Sequence, residues 1–162
     1  MEVYEEKRMK KYRKYFQEMA FSKAKIEEEI RSSNTNRTEH LILIYFLSKD
    51  VSVNHWQTEV SADIKDIAQM RWKNNNKYLT EKEYFNNLWN MPFENNDNYE
   101  VIDEDVQDLI YDKYPIPKNW KDHKSELVSK MKEFYEKISK LLSQGKCSKL
   151  EVYNLLDEFM KK

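Results

Sequence analysis

The sequence predicts an all-α fold: one domain, residues 1–162, in which six to seven helices pack around a short, fully apolar central helix and the chain ends in an α-hairpin. The chain of 162 residues contains a single glycine, Gly145. Tight β-hairpins need glycine at turn positions with positive φ, so this scarcity weighs against a β-rich fold and excludes glycine-rich phosphate loops. Hydrophobic residues make up 40% of the chain and recur at helical spacing, which is typical of a folded helical protein.

The central helix is predicted from Leu41–Leu47, a run of seven consecutive apolar residues. A helix that is apolar on every side must be covered on every side, which places this segment in the middle of the core. A short apolar run can also form a buried strand, but the preceding Asn36–Glu39 fits a capping box and favours a helix that begins there. The run is far shorter than the roughly 20 apolar residues of a membrane span.

The N-terminal segment, about residues 3–31, is predicted to be one long helix with two contrasting faces. Apolar residues at alternating steps of three and four form a heptad stripe, which Lys23 interrupts once: Met9, Tyr12, Phe16, Met19, Ile26 and Ile30. The opposite face carries the basic residues Lys7, Lys10, Lys11 and Lys14. This basic face is either a solvated helix surface or a site for phosphates or an acidic protein. Because the apolar stripe begins so early, we also expect self-association as a homo-dimer, or partner binding, through this helix.

Capping signals divide the next part of the chain into two further helices. An apolar stripe runs from Val53 to Trp72, and the run Asn74–Asn76 ends it, because asparagine competes for backbone hydrogen bonds and tolerates left-handed geometry. A capping box at Thr80–Glu83 then opens a short helix that Pro92 ends.

Three more helices are predicted in the C-terminal third of the chain. The first has Asp103 as its N-cap and ends at Tyr114–Pro115. The second runs from about residue 120 to 143, and Gly145 supplies its left-handed C-terminal cap. A capping box at Ser148–Glu151 opens the last helix, which should dock on its predecessor as an α-hairpin. The apolar face of this last helix is predicted to consist of Leu150, Tyr153, Leu156, Phe159 and Met160.

Residues 94–112 form an acidic block with eight acidic side chains and no Lys or Arg. Pairing such a block inside the monomer would stabilise the fold little, since exposed ion pairs contribute only about 0–1 kcal/mol each. We therefore predict that the block is displayed, and that its central acids are the protein-recognition site: Asp103, Glu104, Asp105 and Asp108. A calcium-loop interpretation of the frame that starts at Glu94 fails at the sixth position, which requires glycine and holds Tyr99.

Catalytic and metal-binding patterns are absent from the sequence. The three histidines, His40, His55 and His123, lie on different predicted helices and have none of the spacings of zinc or di-iron sites. Cys147 precedes a predicted helix between two lysines, a setting that favours the thiolate, although a small packing residue in a tight turn is the simpler interpretation. We expect no metal and no cofactor, and the pattern argues against an enzyme.

Two functional hypotheses follow from these patterns. The first is a non-enzymatic helical protein-binding module: an inhibitor, immunity or regulatory protein that covers a partner's surface, with an acidic patch that could imitate nucleic-acid phosphate. The second is a nucleic-acid-binding protein that uses the basic face of the N-terminal helix, although the formal net charge of −1 weighs against it. The single cysteine and the lack of a signal-peptide pattern predict a cytoplasmic location, and no membrane partner is expected.

Overall fold

The computed structural model describes residue 10 and residues 23–73, 79–93, 99–112 and 114–161. Within these ranges the chain forms seven α-helices and no strand, which confirms the predicted all-α bundle. The helices are α1 (23–32), α2 (Asn34–Phe46), α3 (Val53–Lys73), α4 (Glu81–Phe93), α5 (Tyr99–Asp112), α6 (Lys124–Gln144) and α7 (Lys149–Met160), and a 3₁₀ turn, Trp120–His123, precedes α6.

Helix α2 is the centre of the bundle, as its apolar run predicts. It packs against α3, α4, α5, α6 and α7. Its side chains from Leu41 to Tyr45 are all at most 3% exposed, because a helix with apolar residues on every side is stable only when neighbours cover every side. The buried apolar side chains of the described residues join in one cluster around it. The extent of the domain, residues 1–162, stays a prediction.

The start of α2 was predicted incorrectly, because the helix begins at Asn34 and contains Asn36 within its first turn. Only Ser33 separates α1 from α2, and its side chain makes no capping hydrogen bond. The reason is tertiary: the Asn34 side chain is buried, and its Nδ2 donates to the carbonyl of Asn87 in α4 at 3.1 Å. That contact holds the helical start, and the local capping signal at Asn36–Glu39 is overridden.

A buried polar cluster stands beside the apolar centre, and Arg37 of α2 is its hub. Arg37 is 1% exposed. Its guanidinium donates to the Asp63 carboxylate, to the carbonyl of Ile30 and to the side-chain oxygen of Asn34. Burial raises the pKa of Tyr135 on α6, and the neighbouring Arg37 cation opposes that rise. One arginine therefore links the end of α1 and helices α2, α3 and α6.

Local capping signals were accurate for α4. The Thr80 amide donates to the Glu83 carboxylate at 3.2 Å, and the Glu83 amide donates to the Thr80 hydroxyl at 3.2 Å. This is the reciprocal pair of a capping box. The helix ends at Phe93, one residue beyond the predicted stop at Pro92.

Helices α6 and α7 form the predicted α-hairpin. Gly145 ends α6 with φ 68°, the left-handed conformation that glycine adopts at least cost. The hydroxyl of Ser148 accepts the Glu151 amide at 3.2 Å and so caps α7. The Nζ atom of Lys137 on α6 lies 3.0 Å from the Glu133 carboxylate of the same helix and, across the hairpin, 2.9 Å from the Glu158 carboxylate of α7.

Two details of this region differ from the prediction. Leu150 is 69% exposed and lies outside the core, because the buried stripe of α7 runs through Val152, Leu156 and Phe159. Trp120 is buried as predicted, but it lies in the 3₁₀ turn before α6. None of the helices in the described ranges combines the length and the apolar character needed to cross a bilayer.

Replacing Ser148 with alanine removes the α7 cap and should lower the free energy of unfolding by about 1 kcal/mol. Ser129→Ala, at an exposed position inside α6, is the matched control and should be neutral or slightly stabilising, since alanine is the better helix former. Urea denaturation of both variants measures the difference, and equal midpoints would contradict the capping role.

Candidate functional site

The acidic helix α5 begins at Tyr99, four residues before the predicted N-cap Asp103. The physical reason is an inner apolar stripe of Ile102, Val106 and Leu109, which are at most 6% exposed. This stripe has the i, i+4, i+7 spacing of a helix and requires Ile102 to be helical. Asp103 consequently lies in the second turn, where its carboxylate is 2.9 Å from the Lys124 Nζ.

The opposite side of α5 faces solvent. We call it the outer face and define it by Glu104, Asp108, Tyr111 and Asp112, all of which are exposed. Their spacing of four, seven and eight residues from Glu104 places them on one side of a helix. Tyr111 is 84% exposed, a large exposed fraction for an aromatic side chain. The outer face therefore presents three carboxylates around one accessible tyrosine ring.

Asp105 differs from its acidic neighbours because it is buried, with only 9% of its surface exposed. Its Oδ2 atom is enclosed and has no hydrogen-bond partner among the described residues. Burial raises the pKa of Asp105 to about 7, and the negative charges of Glu39, Asp108 and Glu104 raise it further. Asp105 is therefore not displayed to a partner, contrary to the prediction from sequence.

Glu39 of α2 extends the acidic cluster across the α2–α5 boundary. Burial raises the pKa of Glu39, and the charges of Asp108 and Asp112 add to the effect. From the sequence, Glu39 was predicted only as part of a capping box, and its place beside α5 was missed. Its position could not be read from spacing, because 66 residues separate Glu39 from Asp105 and only the packing of α5 on α2 brings their charges together.

The predicted site residues thus have different surroundings. Glu104 and Asp108 lie on the outer face, Asp103 pairs with Lys124, and Asp105 is buried. On the predicted basic face, Lys10 is helical and exposed. The other three basic candidates, Lys7, Lys11 and Lys14, lie outside the described residues, as does the N-terminal part of the apolar stripe from Met9 to Met19.

Comparison with known proteins found no family model, curated protein or solved structure that matches this chain. The chemistry of the described residues therefore carries the functional argument. In these residues no group of three or more His, Cys, Asp or Glu side chains is arranged to hold a metal ion.

The histidines occupy unrelated surroundings. Burial lowers the pKa of His40, although the hydrogen bond to the Asn36 backbone opposes the shift. His55 is exposed and its Nε2 is 4.0 Å from the Glu59 carboxylate, and the ring of His123 meets Phe46 edge-on with centroids 6.4 Å apart. These are packing and surface contacts.

Cys147 is not activated by the lysines that flank it. Burial raises the pKa of its thiol to about 11, and the negative charge of Glu151 adds to the rise. The thiol is therefore protonated at neutral pH, and only the thiolate is a strong nucleophile. The side chain packs against the hydrophobic core at the turn between α6 and α7, which agrees with the packing interpretation.

Proposed function

We propose that this chain is a non-enzymatic helical protein-binding module, an inhibitor, immunity or regulatory protein, that covers a basic surface of its partner with the outer face of α5. The observation that carries the proposal is the arrangement of Glu104, Asp108 and Asp112 around the exposed ring of Tyr111. No Lys or Arg occurs within residues 94–112, so the carboxylates of the outer face are not interleaved with cations in the sequence.

The two kinds of side chain on the outer face have separate roles in this proposal. Carboxylates attract a basic partner over a distance and raise the association rate, which makes that rate fall with salt. Tyrosine is enriched at binding hot spots because one ring buries a large area at a small entropic cost. Tyr111 is the proposed anchor. Two further apolar or aromatic side chains near the end of α5, Ile110 and Tyr114, are 38% and 37% exposed.

A partner that normally binds nucleic acid suits this surface well. Glu104, Asp108 and Asp112 repeat every four residues, which spaces the carboxylates by about 6 Å along the helix axis. A row of regularly spaced negative charges resembles the charge pattern of a phosphate backbone, which proteins bind with clustered Lys and Arg. The module would then act by occupying the partner's phosphate-binding surface.

The proposal can be tested with a fluorescent amphipathic peptide of lysine and leucine as the basic probe. Neutralising two acids of the outer face, Glu104→Gln with Asp108→Asn, should weaken binding about tenfold, which corresponds to about 1.4 kcal/mol. The same change should flatten the dependence of the dissociation constant on salt. Tyr111→Ala should also weaken binding, but with the salt dependence retained.

The matched control is the pair Asp66→Asn with Glu136→Gln, which removes the same two charges from exposed positions of α3 and α6. This pair should alter the affinity less than about twofold. Equal affinity of the wild type and the outer-face variant for the peptide, including no binding by either, would overturn the proposal. Tight, salt-dependent binding of an oligonucleotide that the outer-face variant leaves unchanged would favour nucleic-acid binding through the basic N-terminal residues instead.

A further inference from the structure

Asp105 lies on the same helix as the outer face but at its buried edge against α2. It is 9% exposed, and its enclosed Oδ2 accepts no hydrogen bond from the described residues. A buried carboxylate without a donor or a counter-ion is costly, so such a group tends to hold its proton. Asp105 is not part of the apolar stripe of α5, so the packing of that stripe does not explain why its carboxyl group is buried.

The charges that act on Asp105 within the described part of the chain are all negative. Glu39 acts from α2, and Asp108 and Glu104 act from α5 itself. Helix α4 also packs against α5. Its charged residues in the described ranges stand in the first turn: Glu81, Lys82 and Glu83.

Two lysines that form ion pairs with α5 and α4 are engaged with acids other than Asp105. Lys124 pairs with Asp103 at 2.9 Å. On α4, Glu83 lies 2.7 Å from the Lys23 Nζ of α1. The carboxyl group of Asp105 can therefore reduce its electrostatic cost in two ways: by keeping a proton, or by moving towards water when the proton leaves.

We infer that Asp105 is a proton switch that seats α5 against α2 when the carboxyl is protonated and loosens α5 when the proton passes to water. The inference rests on the proposed function in one respect, since it makes the outer face of α5 a regulated docking surface. The switch itself is a property of the free protein. Its geometry requires no partner, because Asp105 and Glu39 are brought together by the packing of α5 on α2.

The direction of the switch follows from proton linkage. When α5 is seated, the pKa of Asp105 is about 7, compared with the ordinary value of 3.8. The seated helix therefore binds the proton more tightly than the loosened helix. Raising the pH from 3.8 to about 7 therefore shifts the equilibrium towards the loosened helix.

The experiment is amide hydrogen exchange of the full chain at about pH 5.5 and about pH 8.5, expressed as protection factors so that intrinsic exchange is removed. Protection of the α5 amides in the wild type should fall roughly thirty-fold between the two values, as the linkage between 3.8 and about 7 requires. In Asp105→Asn the fall should be absent. The exposed control Asp66→Asn should behave as the wild type, and protection of α6 should change much less than that of α5.

A second measurement keeps the inference testable if Asp105→Asn does not fold. The side-chain carboxyl of Asp105 in the wild type can be titrated directly by carbon NMR, and its midpoint should lie near neutrality. An ordinary midpoint, or equal α5 protection in the wild type and in Asp105→Asn at both pH values, would overturn the switch. Neither result involves a binding partner, so a failed switch leaves the peptide experiment on Glu104, Asp108 and Tyr111 to decide the proposed function separately.

Discussion

Replacing Arg37 with methionine is expected to lower the free energy of unfolding by about 3–5 kcal/mol, a large part of the roughly 5–15 kcal/mol that stabilises a typical domain. Arg37 is 1% exposed and donates to the Asp63 carboxylate, the Ile30 carbonyl and the Asn34 side chain. Methionine fills part of the volume but donates nothing, so three buried or half-buried acceptors lose their donor. Arg37→Lys should also be destabilising, because an ammonium group lacks the planar fork of the guanidinium.

The matched control is Arg31→Met, which removes an arginine from an exposed position of α1. It should change stability by less than about 0.5 kcal/mol, as surface substitutions usually do. Urea unfolding followed by far-UV circular dichroism measures both variants. Combining Arg37→Met with Asp63→Leu should recover part of the loss, since the unpaired carboxylate is removed as well. If Arg37→Met and Arg31→Met unfolded at the same urea concentration, the buried cluster would have no role in stability.

Replacing Asp105 with asparagine is expected to stabilise the protein at alkaline pH and to have little effect near pH 4. The folded pKa of about 7 exceeds the ordinary value of 3.8, so the folded state binds the proton more tightly than the unfolded state. The contribution of the Asp105 carboxyl to the free energy of unfolding is therefore fully present below pH 3.8 and is lost as the pH rises towards 7. Above neutrality, the free energy of unfolding of Asp105→Asn should exceed that of the wild type by about 4 kcal/mol, at 1.36 kcal/mol per pKa unit.

The test is the difference in free energy of unfolding between Asp105→Asn and the wild type, measured by urea denaturation from about pH 4 to about pH 8.5. Titrating groups that do not interact with Asp105 cancel in this difference. They include His40, whose lowered pKa makes the wild type lose stability on acidification. The control Asp66→Asn should give a flat difference across the range. A flat difference for Asp105→Asn would show that its carboxyl ionises normally in the folded protein.

Local chemistry explains which features could be predicted from the sequence. The capping box of Thr80 and Glu83, the cap at Ser148 and the left-handed Gly145 each depend on residues within one helical turn, and each was predicted correctly. The burial of Leu41–Tyr45 was also predictable, because no helix can leave a run that is apolar on every side in water.

The features that were predicted incorrectly depend on segments distant in the chain. Helix α2 begins at Asn34 because Asn34 reaches the carbonyl of Asn87 on α4, a contact across 53 residues. Helix α5 begins before Asp103 because Ile102 is needed for the stripe that packs against its neighbours. At α5 the local capping signal contributes about 1 kcal/mol, and burial of Ile102 against other helices exceeds it.

The acidic block shows the same difference between features set by local sequence and features set by tertiary packing. Composition alone showed that residues 94–112 carry eight acidic side chains and no Lys or Arg. It could not show that Glu104 and Asp108 face water while Asp105, between them in the sequence, lies against α2 beside Glu39. Which carboxylates face water and which one is buried follow from the rotation of α5 about its axis, and that rotation is set by the packing of Ile102, Val106 and Leu109 in the core.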